Sequence, residues 1–168
     1  IRLPDSQVDR IYMAGLLHDV GKIGLHDSLL DKSYAMLTHR EQIEANKHPL
    51  KGQTALMALE QLHGAAKLIR SHHERFDGMG YPDNLAGNAI PLGARILALA
   101  NDFDAAQIGT LLPGCLGKSD AIIFIQQWKG KRYDPAVTEV FLNMMGVKQE
   151  ESHKVSDIIL NTRHLKLG

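Results

Sequence analysis

The chain has 168 residues, 44% of them apolar and 23% charged, with 19 basic and 19 acidic side chains. That size suits one domain with a substantial core, and the even charge argues against a broad nucleic-acid or membrane-binding face. The single cysteine, Cys115, excludes an internal disulfide framework and fits a reducing, cytoplasmic setting, and no apolar run approaches the length of a transmembrane helix.

The hydrophobic period is helical almost throughout. In SQVDRIYMAGLLHDVGK, Val8, Ile11, Tyr12 and Leu16 fall on one stripe and Gly21 supplies a stop. Thr38 and Glu41 form a T-x-x-E capping box that starts THREQIEANK. Pro49 opens LKGQTALMALEQL, predicted to run to Leu62, and AAKLIRSHHERF is a further helix closed by the loop DGMGYPDNLAGNAIP. PLGARILALANDFDAAQ is a strongly apolar helix with two late aspartates. After the connection LLPGCLGK come SDAIIFIQQW and then DPAVTEVFLNMM, with Asp134 as N-cap, Pro135 at the first helical position and Gly146 as stop. The expectation is an all-α domain over residues 1–146, then a C-terminal tail or the start of a further element over 147–168.

Chemistry-bearing residues gather in four places: His18-Asp19 with Lys22 in HDVGK, His48 in KHP, His72-His73 in HHERF, and Asn101-Asp102 with Asp104. Each alone has an ordinary reading as a capping, surface or core residue. Together they are the imidazole and carboxylate set that binds iron, manganese or zinc. Five such ligands exceed one tetrahedral zinc site and suit two octahedral ions sharing a carboxylate. His72 and His73 pose a geometric difficulty, because neighbours on a helix point about 100° apart. Either they serve two ions, or they reach one ion from different edges at a fraying helix end.

The ordered set LLHDVGKIGL, KHPLKG, HHERFDGMGYP and PLGARILALANDFDA, followed by RYDPAVTEVF, closely resembles the HD-GYP family of bacterial phosphodiesterases within the HD superfamily. The resemblance implies an HD-superfamily helical bundle with the Gly80-Tyr81-Pro82 loop at the active-site rim. It implies a centre of two divalent transition-metal ions, most often iron or manganese, with zinc, nickel or cobalt admitted. The implied substrate is cyclic di-GMP, hydrolysed to pGpG and/or GMP. By position, His18, Asp19, His48, His72 and His73 fall on ligand positions, with Asp19 bridging. Asp19 and Lys22 are the implied catalytic residues, and Lys22, Gly80, Tyr81 and Pro82 the implied substrate contacts.

Three departures from the family pattern mark this chain. A ligand position usually held by aspartate is Asn101 here, with Asp102 as the alternative one step round the helix and Asp104 expected to orient a histidine. The stretch GTLLPGCLGK lacks the phosphate-gripping arginine of the family's R-P-Y-R segment, which makes Lys118 the candidate in its place. The family's early helix with an upstream histidine is absent, and the start at Ile1 carries the expectation of a longer protein with an upstream sensory or receiver domain. The departures also feed an alternative: a weak or inactive domain acting as a cyclic di-GMP receptor or protein-interaction module, with diguanylate cyclase domains among its partners.

Overall fold

The computed structural model describes residues 2–147, which form α-helices joined by 3-10 turns and loops, with no strand among the described residues. The tail expected from residue 147 onward lies, apart from Val147, outside the described residues. None of the described helices is long and apolar enough to cross a membrane.

Helix α1 (Asp5–Leu17) follows Pro4 and carries Asp5 in its first turn, where the positive end of the helix dipole favours a carboxylate. Ala14 is its buried residue, and Met13 and Leu17 pack on a cluster of Ala14, Leu56, Ala65, Ala66, Ile69 and Leu97. The apolar stripe read from the sequence points outward instead: Val8, Tyr12 and Leu16 are 49%, 66% and 62% exposed. The period is right and the phase is not. Ala14 against Ala65 and Ala66 lets the two helices approach closely, and that contact decides which face turns inward.

Helix α2 (Asp27–Leu30) is one turn capped by His26, and α3 (His39–Ala45) carries the full capping box of Thr38 and Glu41. Helix α4 (His48–Leu56) has Pro49 in its first turn as expected but ends at Leu56, short of the predicted Leu62. A 3-10 turn at Glu60–Leu62 leads into α5 (His63–Arg70), which also stops early, so His72 and His73 lie in a turn beyond it.

Helix α6 (Leu92–Ile108) is the axis of the molecule. Leu97 belongs to the cluster shared with α1, α4 and α5. Leu99, about 200° further round the helix, joins Ile125, Tyr133 and Val137 in a second cluster with α7 (Lys118–Gln127) and α8 (Pro135–Met144). Ile69 in the first cluster and Ile125 in the second are fully buried, each burial worth roughly 1.5–3 kcal/mol. Helix α8 starts as predicted, with Asp134 accepting from Ala136 N at 2.7 Å and Val137 N at 3.2 Å; the same carboxylate pairs with Arg95 of α6.

Candidate active site

Three helix ends and the C-terminal half of α6 meet at a cavity of about 390 Å³. Helix α1 delivers His18 and Asp19 just before the 3-10 turn Val20–Lys22, α4 opens with His48, and the turn after α5 holds His72 and His73. Asn101, Asp104, Ala105 and Ile108 of α6 face the same cavity, at the spacing that puts residues on one side of a helix. The approach of the first two segments rests on Gly21. A Cβ there would lie 1.9 Å from the His48 carbonyl oxygen and 2.5 Å from Gly52 N, so only hydrogen fits. That contact is the role of Gly21, because α1 has already ended at Leu17.

Three histidines share one local geometry. His18 Nδ1 donates to the Gly15 carbonyl at 2.8 Å, His48 Nδ1 to Ala45 at 2.7 Å and His72 Nδ1 to Ile69 at 2.6 Å. Each acceptor is a last-turn carbonyl left free by its own helix. A carbonyl can only accept, so each Nδ1 carries the proton and each Nε2 presents a bare lone pair. The Nε2 atoms of His48 and His72 lie 3.4 Å apart, and ligand atoms of His48, His72 and His73 all fall within 4.8 Å of one another. Two lone pairs set against each other repel, and a cation between them relieves that repulsion.

Burial pushes His48 down to about 4, His72 to about 3 and His73 well below the ordinary imidazole value, so all three are neutral near pH 7. Asp19 oxygens lie 3.4 Å from His18 Nε2 and 3.7 Å from His48 Nε2, and Lys22 Nζ donates to Asp19 Oδ2 at 2.8 Å. Burial alone would raise the Asp19 carboxyl. The hydrogen bond and the charge of Lys22 lead the contributions that outweigh it and hold the group below its usual value. This donor set fits a transition metal, with His48, His72 and His73 at the centre and His18 and Asp19 at the edge.

The early end of α5 resolves the difficulty of adjacent histidines. His72 turns into the core with no exposed surface, and the His73 ring tilts over it at 4.0 Å between centroids. Tyr81 stacks on His73 at 4.9 Å and 23°. Gly80 and Tyr81 line the cavity, while Pro82, after a cis peptide bond, does not. The loop is held from below by Glu74, only 3% exposed, which accepts from Asp83 N at 2.7 Å and Leu85 N at 3.1 Å. The sequence reading passed over Glu74; its place beside the histidine pair was the available clue.

Other expected residues fall elsewhere. Asp102 borders the cavity but is 4% exposed, and its Oδ2 accepts from Arg132 Nε at 2.5 Å and Tyr133 OH at 3.0 Å. The structure places it in an ion pair, because its step round the helix turns it toward the α7–α8 side. Asp104 is exposed in the cavity wall and bonds no histidine among the described residues. Lys118 is exposed at the start of α7, away from the cavity lining. Lysine and arginine at the cavity are instead Lys22, Lys32, Arg75 and Arg132. Arg132 arrives through long-range backbone bonds, Phe76 N to Arg132 O at 3.2 Å and Asp77 N to Lys131 O at 2.8 Å, which no local pattern reveals.

Fold and site together give a helical protein whose clustered histidines could hold a metal ion beside a carboxylate. A profile of the HD domain family matches residues 1–137, and the chain belongs to that family, as its HD-GYP motifs imply. It is 37% identical over 147 residues to a cyclic di-GMP phosphodiesterase of Vibrio cholerae serotype O1, covering 83% of this chain and 30% of that protein. It is 37% identical over 142 residues to a cyclic di-GMP phosphodiesterase response regulator of Xanthomonas campestris pv. campestris, covering 83% and 37%. A crystal structure of a cyclic GMP-AMP specific phosphodiesterase of V. cholerae shares the fold, with a TM-score of 0.65 at 22% identity over 92% of this chain and 44% of that one. The chain spans about a third of the length of these two relatives.

Proposed function

We propose that residues 1–146 are the catalytic domain of a metal-dependent phosphodiesterase that hydrolyses a 3′–5′ diester of cyclic di-GMP to pGpG and/or GMP in the cytoplasm. The observation that carries this reading is the convergence of the bare His48 and His72 Nε2 atoms with His73 beside a cavity lined by cations. The names of the relatives support the substrate. Two divalent ions, iron or manganese, are the proposed cofactors, with zinc, nickel and cobalt as alternatives. His18, Asp19, His48, His72 and His73 would hold them, and Asn101 offers an amide oxygen from the α6 wall. Ions bound there supply Lewis-acid activation of water and neutralise charge on the phosphoryl oxygens.

The chain's own residues do the rest. Asp19, with its oxygens 3.4 Å from His18 Nε2 and 3.7 Å from His48 Nε2, would hold the ions together with these histidines. Lys22, steadied by Asp19, offers its remaining N–H groups to the phosphoryl oxygen on which charge develops. Tyr81 is kept protonated by burial, and its ring, stacked on His73, makes a firm wall for the substrate. An upstream sensory or receiver domain and diguanylate cyclase partners belong to the same proposal, and the response regulator among the relatives supports the first.

Protein purified without oxygen should carry close to two iron or manganese ions per chain and convert cyclic di-GMP to pGpG or GMP, followed by chromatography. Asp19→Ala should abolish the conversion. Metal-loaded protein that binds cyclic di-GMP and releases no product would overturn hydrolysis in favour of the receptor alternative, and exclusive turnover of 3′3′-cGAMP would overturn the assigned substrate.

A further inference from the structure

Of the lysines and arginines at the cavity, three donate to neighbouring carboxylates that are themselves partly exposed. Lys22 donates to Asp19 at 2.8 Å, Lys32 to Glu41 at 2.7 Å, and Arg75 to both oxygens of Asp77 at 3.1 and 2.6 Å. Arg132 differs. Its Nε bonds Asp102, its two terminal nitrogens donate to no carboxylate among the described residues, and its side chain is 25% exposed in the cavity wall.

The guanidinium is also held rigidly. Its backbone is pinned by Phe76 and Asp77, midway between His73 and Tyr81 in the chain. Its side chain is pinned by a buried carboxylate that Tyr133 OH fixes in turn at 3.0 Å. A guanidinium held at Nε leaves a planar fork of donors, the shape that matches two oxygens of one phosphate. Asp19 and Lys22 stand on the turn after α1, whereas Arg132 is tied to α6 beside Asn101. The two groups therefore reach the cavity from different segments of the fold.

We infer that Arg132 binds the phosphate of the substrate that is not being cleaved. The inference rests on the proposed function, since a cyclic dinucleotide carries two diesters and a simple diester one. Lys22 serves the diester at the histidines, and Arg132 holds the other, which makes it a specificity residue for substrates with two phosphates.

The test sets metal-loaded wild type beside Arg132→Lys, with cyclic di-GMP and bis(p-nitrophenyl) phosphate, a single diester, as substrates. Lysine keeps a charge near Asp102 but cannot pair with it and present a fork as well. KM for cyclic di-GMP should rise, and the preference for it over the single diester should fall, by about tenfold or more, as expected for loss of a charged hydrogen bond. Metal content should hold. A double variant, Asp102→Asn with Arg132→Gln, strands no buried charge and should show the same split. Equal loss on both substrates, lost metal, or an unchanged preference would each overturn the inference. Wild type that cleaves the single diester but leaves cyclic di-GMP intact would overturn the functional reading beneath it.

Discussion

His72 has no exposed surface, and the Ile69 carbonyl fixes its Nδ1–H, so its lone pair faces His48 Nε2 at 3.4 Å. Replacement by alanine removes a central member of the proposed ligand set. Metal affinity should fall by more than the roughly 10–100-fold that loss of an outer partner costs, read as metal per chain after dialysis. Gly21 makes a second residue-scale prediction. The atoms a methyl group would strike are backbone, so Gly21→Ala should cost about 1–3 kcal/mol in denaturant unfolding and lower metal content, because the Asp19 turn must move off α4. An alanine variant with full stability and full metal would refute that account. The histidines were legible in the sequence because imidazoles at helix ends carry their chemistry in their identity. Arg132 and the partner of Asp102 were not, because segments more than 25 residues apart in the chain make those contacts. The same reason explains why Lys118, plausible by position, stands outside the site.

At the scale of elements, the helix starts were read well and the ends poorly. Caps are local: Thr38 with Glu41 and Asp134 with Pro135 act within a few residues. The ends of α4 and α5 and the phase of α1 answer to packing, which the period does not contain. The α3 cap gives a pH prediction. The hydrogen bond from Lys32, then those from Thr38, hold the Glu41 carboxyl at about 2, below its ordinary 4.5. A depressed folded value stabilises the fold above the unfolded value and loses that effect as pH falls through the folded one. Glu41→Gln should therefore be less stable than wild type at neutral pH. The gap in urea midpoint should narrow as pH drops from 4.5 toward 2. A gap that stays constant with pH would assign the loss to the cap's shape and not to its charge.

At the scale of the whole molecule, the site lies where α1, α4 and α5 meet the α6 axis, so a bound ion ties segments far apart in sequence. A ligand that binds only the folded state stabilises it by about 2.7 kcal/mol at a hundred times its dissociation constant. For a chain of this size that raises the thermal midpoint by roughly 5–10 °C. Adding Mn²⁺ to metal-free protein should produce such a rise, and His72→Ala should lose it. Lys22 separates holding the metal from using it. It is 39% exposed and offers its ammonium to Asp19, not a lone pair to the centre. Lys22→Ala should keep the Mn²⁺-dependent rise while hydrolysis of cyclic di-GMP falls about a hundredfold, the scale of losing one donor to a developing oxyanion. If the variant loses the thermal rise together with activity, Lys22 acts by positioning Asp19 for the metal, and its contact with the phosphate is excluded.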